Sequence, residues 1–429
     1  MKRHTIIIFA GVILALAFIL QTGFLAYAMY ALLLLYFSSL VMSIIWLRGV
    51  ECKREISETE VQIGDEVRVK LTIKNTNAWF IPWIFLEEYK PPQQALKGQT
   101  ARIHMFWPRQ EIEMKYTVRF NKRGYRRLGP LTMETGDIFG LQRRFAVGAA
   151  RDYVTVFPRV MVIGEYEIGS RKPVGEIKFS HKIYEDPSRI SGIREYIPGD
   201  SLNRIHWKVS AAKDQLYTKL FEPSVVTGAT IALDFHESGY QDPAGEERME
   251  LAITTASSIA SFVHNTGEQV GYFTNGRDAA ERGLQLKKAE VFKNRLAAQS
   301  HANLEAESHR LRPFQVPTRK SSLQIFHIME SLARTDMTDG NLFETALESE
   351  FRRFRRDATL ILIVPHVTSG LLLMIGTLKS VGFNIVVFVI KNQAACDSAR
   401  ERLADLRVPV FGIDGEHNLH ALVFENVPI

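Results

Sequence analysis

Three side chains able to trade protons, Glu195, Asp200 and His206, fall within twelve residues of one another. Two carboxylates and an imidazole held in one pocket can act as general acid and base. The same stretch reads Arg194-Glu195-Tyr196-Ile-Pro198-Gly199-Asp200-Ser-Leu-Asn-Arg204-Ile-His206-Trp207-Lys208, with charges of both signs packed around Trp207. That crowding has a simpler reading, a salt-bridge and capping network that clasps one domain to the next. Pro198-Gly199 suits the centre of a type II turn, since proline presets φ and glycine accepts the positive φ that follows. Asp200 then caps a helix whose first turn is Ser201, Leu202 and Asn203, with Leu202, Ile205 and Val209 packing and Arg204 and Lys208 presenting cations. If the Trp207 ring is buried in the clasp, truncating it to alanine costs about 3–5 kcal/mol.

A second group follows an apolar strand, Ile231-Ala-Leu, in the run Asp234-Phe-His236-Glu-Ser238. A further apolar strand ends at Pro365-His366. Two imidazoles beside Asp234 would suit Zn²⁺ or Mn²⁺ better than Mg²⁺. No Gly-x-Ser-x-Gly, His-Glu-x-x-His or phosphate-binding Gly-rich loop ending in Lys-Ser/Thr is present, so an enzyme is not the expectation.

These residues sit on two kinds of scaffold. From residue 230 onward short apolar runs, 269–273, 359–364, 385–390 and 408–412, alternate with helix-period segments at 246–264, 342–354, 371–381 and 396–406. Alternation of this kind predicts a doubly wound α/β domain over residues 230–429, with sites at the carboxyl ends of the strands. Residues 275–320 are polar and predict an irregular insertion with one helix near 289–298. Residues 51–160 predict an immunoglobulin-like β-sandwich: Val67, Val69, Leu71 and Ile73 alternate with Arg68, Lys70, Thr72 and Lys74, and turn signals separate further runs of the same kind. Residues 161–229 link the two.

Ahead of both stand forty-three uncharged residues, 5–47, flanked by Lys2, Arg3, Arg48, Lys53 and Arg54. Gln21-Thr22-Gly23 divides them, which predicts a transmembrane helical hairpin over residues 1–50 with helices at 5–20 and 24–47. Basic residues at both outer ends place both termini and all that follows in the cytoplasm, on a multi-pass protein of the cell membrane. A cleaved signal peptide is the competing reading, disfavoured by the second apolar segment and the lack of a cleavage site. The chain carries a net charge of +6, and residues 51–160 hold 19 Lys+Arg against 13 Asp+Glu. Within them, residues 119–127 carry five cations and no acid, a stretch that reads as facing anionic lipid or as a plain solvated strand edge rather than as a nucleic-acid site. The two cysteines, Cys52 and Cys396, lie too far apart to form a disulfide framework. Cys52, close to the membrane, reads first as a spare small residue and second as a site of reversible acylation.

The long motif resembles that of a bacterial family known as domain of unknown function 58, matched here by Arg194, Glu195, Tyr196, Pro198, Gly199, Asp200, Arg204, Trp207 and Lys208. A second match is Arg123-Gly-Tyr-Arg-Arg-Leu-Gly129-Pro130 followed by Asp137-Ile-Phe139-Gly140-Leu141, where the family more often has proline in place of Ile138. The resemblance implies a membrane protein with a von Willebrand A-like domain, often encoded beside MoxR-type AAA+ ATPases, and brings no established activity. Cation-binding domains of that type use Asp-x-Ser-x-Ser after the first strand. Here Asp234 and Ser238 remain and His236 replaces the middle serine, so the site is degenerate and no metal or other cofactor is expected. The expectation is therefore a non-enzymatic membrane-anchored scaffold that recruits a MoxR-type ATPase or client proteins. A divalent-cation-dependent binding module is the alternative, and an uncharacterised hydrolase the second.

Overall fold

The computed structural model describes residues 11–12, 15, 18, 23–89, 95–149, 151–163, 175–178, 184–197, 205–213, 215–224, 228–280, 291–292, 312–420 and 422–425. The chain divides into two compact units, Met1–Val156 with Ala280–Glu307, and Phe157–Ala279 with Ser308–Ile429.

In the first unit, helix α1 (Gly23–Arg48) contains a 22-residue span, Tyr27–Arg48, long and apolar enough to cross a membrane. The helix of the expected hairpin at residues 5–20 lies largely outside the described residues. Behind α1 come strands β1 (Val50–Ile56), β2 (Glu60–Gln62), β3 (Glu66–Asn75), β4 (Ile81–Glu88), β5 (Ala95–Gly98), β6 (Ala101–Phe106), β7 (Glu111–Arg119), β8 (Gly124–Leu128), β9 (Leu131–Gly136), β10 (Arg143–Val147) and β11 (Asp152–Phe157). They form sheets ordered β1-β3-β7-β5, β10-β9-β4-β6 and β2-β11-β8. Side chains alternate across a strand, so Val67, Val69, Leu71 and Ile73 of β3 all turn inward and are buried, as the period of two predicts. Ile84 and Leu86 of β4 meet them in one core with Met114, Val118 and Phe120. Each such side chain contributes roughly 1.5–3 kcal/mol on burial.

Register fixes the two ends of this unit. Lys74 pairs with Glu111 at the end nearest α1, and Glu66 pairs with Arg119 at the other. Eight steps of about 3.3 Å therefore separate Arg119, where residues 119–127 begin, from the end nearest the helix by roughly 26 Å, and β8 runs back from there toward the level of Arg54. Those residues are also folded in: Arg123 is buried, Arg126 Nη2 donates to Arg123 O, and Arg127 lies 4.5 Å over the Tyr89 ring. Of the two readings of this basic stretch, lipid-facing patch or strand edge, the described residues fit the second, a strand packed in part into the sandwich.

The second unit holds β12 (Gly175–Lys178), β13 (Tyr184–Glu195), α2 (Trp207–Lys213), β14 (Tyr217–Ser224), β15 (Gly228–Leu233), α3 (Gly245–Asn265), β16 (Gln269–Thr274) and β17 (Arg277–Asp278). A two-residue strand of the first unit, β18 (Val291–Phe292), comes next. Then follow β19 (Phe314–Arg319), α4 (Gln324–Arg334), β20 (Thr335–Asp336), α5 (Phe343–Glu350), β21 (Thr359–Val364), α6 (Ser369–Ser380), β22 (Ile385–Val389), α7 (Gln393–Leu403), β23 (Val410–Gly412), α8 (Glu416–His420) and β24 (Leu422–Glu425). Six strands form a sheet ordered β19-β16-β15-β21-β22-β23, parallel throughout except at β19. Every residue of β15, β21 and β22 is buried, because helices cover both faces. α3, α4 and α8 share a core with one face, and α5, α6 and α7 with the other. The molecule thus joins an apolar helix, a β-sandwich and an α/β unit.

The polar stretch 275–320 departs from expectation where it is described. Val291 and Phe292 pair with Ala146 and Phe145 as strand, not helix. Phe314–Arg319 supplies the antiparallel edge strand, where Pro317 is tolerated because an edge leaves one side of the ladder open.

Candidate functional site

Strand order reverses between β15 and β21, and a sheet of this kind opens a crevice beyond the carboxyl ends at that point. Asp234 follows β15 directly, and its N–H donates to Ile363 O at 2.9 Å, extending the pairing by one residue. Its carboxylate is held at Oδ1, which accepts the His236 N–H at 3.2 Å and the Asn275 amide at 3.2 Å. Asn275, just past β16, also accepts the Phe235 N–H at 2.8 Å and donates to Asn341 O at 3.2 Å. Thr338 joins from the loop before α5, donating its N–H to Phe235 O and accepting that of Glu237. The loop after β21 is pressed against the first, since a Cβ on Gly239 would stand 2.4 Å from Pro365 Cγ. Four strand-end loops thus converge, among them those of Asp234 and Pro365 singled out from the sequence.

Burial pushes the Asp234 carboxyl up to about 7, opposed by its two hydrogen bonds and reinforced by the Glu344 charge. His366 moves the other way: burial first, then Lys391, Arg248 and Arg402, hold its imidazole below the ordinary histidine range against Glu344. The Asp234 carboxyl is therefore close to the midpoint of its titration at neutral pH, while the His366 imidazole is biased toward its neutral form.

His236 and Ser238 are occupied with each other. The Ser238 hydroxyl lies 2.8 Å from His236 Nδ1, and the Ser238 N–H donates to the same nitrogen at 3.2 Å, closing a short 3₁₀ turn. Asp234 meets the backbone of His236 and not its ring, so these residues lack the carboxylate–imidazole link that orients a serine nucleophile. They also fit a divalent cation poorly: Ser238 is turned to His236, and Asp234 Oδ1 already takes two donors. Among the described residues no group of three or more His, Cys, Asp or Glu stands close enough to share a metal. Asn275 was not identified from sequence; its one signal is an amide placed at the carboxyl end of an apolar strand.

The Arg194–Lys208 motif is only partly described. Arg194 and Glu195 end β13, and Tyr196 N–H donates to Leu216 O at 2.8 Å. Pro198, Gly199, Asp200 and Arg204 lie outside the described residues. The expected helix begins later than 201: Ile205 forms a bridge with Thr218, His206 N–H donates to Tyr217 O, and α2 starts at Trp207. His206 Nδ1 accepts the Val209 N–H at 3.3 Å and so caps that helix. Glu195 and His206 are therefore on separate elements, strand and cap. Trp207 is 67% exposed, because the first turn of α2 aims its ring outward.

A further charged cluster lies inside the sandwich. Arg54 of β1 donates from Nη2 to Glu88 Oε1 at 2.7 Å and from Nη1 to Asp152 Oδ2 at 2.8 Å, while the Tyr116 hydroxyl donates to Glu88 Oε1 at 3.0 Å. Desolvation raises the Glu88 carboxyl despite Arg54, and Oε2 is buried with no hydrogen-bond partner among the described residues. Cys52 is part of this interior, 3.5 Å from Met133 Sδ, and burial pushes its thiol up to about 12. A thiol so protonated is a poor acceptor for acylation.

A sequence profile described as "Protein of unknown function DUF58" matches residues 192–299. An uncharacterized protein, YeaD of Bacillus subtilis (strain 168), is 25% identical over 264 residues, covering 60% of this chain and 64% of that protein's length. Among solved structures, a CARDB domain from Pyrococcus furiosus in complex with di-metal ions aligns at TM-score 0.19 and 11% identity, over 25% of this chain and 91% of its own. A GH20 exo-β-N-acetylglucosaminidase from Vibrio harveyi aligns at TM-score 0.19 and 9% identity, over 83% and 71%. Scores this low carry no argument. The motif at Arg194–Lys208, the profile over residues 192–299 and the similarity to YeaD together show that this chain carries a segment, residues 192–299, of the DUF58 family.

Proposed function

We propose that the chain is a non-enzymatic, membrane-anchored scaffold or adaptor whose α/β unit, of von Willebrand A-like type, holds a protein partner at the loops around Asp234, Asn341 and Pro365. The observation that carries this reading is the convergence of those loops at the switch point, fixed through Asn275 and lacking an oriented nucleophile. Strand order with a single antiparallel edge supports the fold type. The span Tyr27–Arg48 supports the anchor, and the basic residues flanking the apolar run support a cytoplasmic location on a multi-pass chain. A MoxR-type AAA+ ATPase or its client is the partner the family resemblance implies.

Pull-down from solubilised membranes with the full chain tests this reading, with and without ATP and with wild type against Asp234→Ala. An AAA+ protein recovered with wild type, dependent on nucleotide and lost with the folded variant, is the expected result. Stoichiometric divalent metal retained through dialysis, with ligand capture that depends on it, would favour the cation-dependent module instead.

A further inference from the structure

The end of the sandwich nearest α1 carries an unusual surface. Trp79, Trp107, Ile138, Phe139 and Leu141 are exposed by 66, 63, 63, 55 and 50%. Register puts all five at one edge. Ile81 at the start of β4 pairs with Phe106 at the end of β6, which sets the Trp79 and Trp107 turns side by side. Asn75 ties them together, its Nδ2 donating to Trp79 O at 3.1 Å and to Trp107 O at 3.0 Å. Ile84 pairs with Thr135, and Gly136 with Arg143, so the β9–β10 loop bearing Ile138, Phe139 and Leu141 turns at the same edge. This loop turns its polar groups inward: Asp137 is buried, and its carboxylate accepts the Phe139 N–H at 3.1 Å and the Gln142 N–H at 2.6 Å. The apolar side chains are what remains outside.

α1 enters the sandwich at that edge. Asn77 Nδ2 donates to Ile45 O at 3.3 Å and Trp46 O at 3.2 Å, Thr76 N–H donates to Gly49 O at 2.7 Å, and Trp46 and Leu47 are buried in the sandwich core. The 22-residue apolar span is about 33 Å long, against a hydrocarbon thickness of about 30 Å. A bilayer crossed by it therefore ends in the last turn of the helix, level with the five side chains. The charged residues at this end are the exposed cations Arg48, Lys74 and Arg109, whose long stems can reach headgroups while Trp sits at the interface, and the exposed acids Glu51 and Glu111, which stay on the aqueous side of that layer.

We infer that this edge, including the Asp137–Leu141 motif, is a second membrane contact, in which the two tryptophan turns and the β9–β10 loop insert into the headgroup layer of the bilayer that α1 crosses. A patch of this size on a soluble face calls for a partner, and continuity with α1 selects lipid. Inserted apolar loops reach about 5–10 Å into the interface, which would fix the orientation of the sandwich on the membrane instead of leaving it on a swivel. The inference rests on α1 being a membrane span.

Spin labels on the full chain in vesicles of phosphatidylethanolamine and phosphatidylglycerol, 3:1 by design as an order-of-magnitude bacterial mixture of about these proportions, separate the two. Cysteine is introduced singly at Leu34, Ile138, Trp107 and, at the opposite end of the sandwich, Gln62, with Cys52 and Cys396 replaced by alanine. Labels at 34, 138 and 107 are expected to collide with oxygen several-fold more often than with an aqueous nickel chelate, and the label at 62 the reverse. Lipid contact at 34 with aqueous behaviour at 138 and 107 overturns the inference and leaves the span intact. Aqueous behaviour at 34 overturns the span itself. Labels at 138 and 107 that are immobilised yet reached by neither reagent mean a protein partner, and also overturn it. As a check without new cysteines, brominated acyl chains should quench wild-type tryptophan fluorescence more than that of a W79F/W107F variant; equal quenching counts against the inference.

Discussion

Asn275 holds Asp234 from the neighbouring strand, donating from Nδ2 to Asp234 Oδ1 at 3.2 Å while its own Oδ1 accepts the Phe235 N–H at 2.8 Å. A single amide thereby fixes both the backbone and the carboxylate of the switch-point loop. Its two bonds steady Asp234 without restoring full charge, since burial outweighs them.

Stability should record that imbalance. The folded carboxyl titrates near 7 and the unfolded one near 3.8, so between those values the native state binds more protons than the unfolded. The stabilisation this gives is complete below about pH 4 and is lost as pH rises through about 7. Asp234→Asn should remove the slope and melt above wild type at pH 8, by about 1–2 kcal/mol once partial solvent exposure is allowed for. Denaturant unfolding of the full chain in detergent at pH 5 and pH 8 measures it; parallel curves for both proteins would mean that Asp234 is ionised throughout.

Within the sandwich, Arg54→Met should cost about 3–5 kcal/mol, because it strands the Glu88 carboxylate among apolar side chains. The double variant R54M/E88L should recover much of that loss, as buried ion pairs contribute little net stability over a packed hydrophobic pair. Thermal melts of the three proteins decide the matter. A double variant as unstable as the single one would show that the network is required for the fold.

Much of this architecture was legible from periodicity alone. Residues 66–74 alternate so strictly that strand and buried face follow together, and the runs at 360–364 and 385–390 are apolar throughout because both of their faces are covered. Phe314–Arg319 was not legible: a half-exposed edge strand containing Pro317 has neither period nor continuous apolarity. Asn275 has no period either, since its role depends on which strand lies beside β15. The charged pair Arg54 and Glu88 reads as two surface residues until the packing of one sheet on the other brings them together across thirty-four positions. Trp207 shows the same limit, because composition gives the ring and only the helix start sets where it points.

Trp207→Ala should therefore leave stability within about 0.5 kcal/mol of wild type, as expected for an exposed side chain. A buried clasp would have lost several times that. If the same variant also loses recovery of the membrane partner in pull-down, the ring belongs to a binding surface. A drop of ~3 kcal/mol or more in denaturant unfolding would mean that Trp207 is covered in the intact protein.

Gly129 and Arg54 should be energetically coupled. Gly129 has φ +74°, where an L side chain is strained, and a Cβ there would stand 2.1 Å from Arg54 Nη2 and 2.7 Å from Arg54 Cζ. An arginine tip usually swings away from such an overlap, but this one is held by Glu88 and Asp152. Gly129→Ala should cost about 2–4 kcal/mol, of which about 1–2 is the left-handed backbone and the remainder displacement of Arg54. In the R54M background the second part disappears, so the two substitutions together should destabilise less than their sum by about 1 kcal/mol or more. A double-mutant cycle by chemical denaturation measures that difference, and strict additivity would mean that Arg54 yields freely.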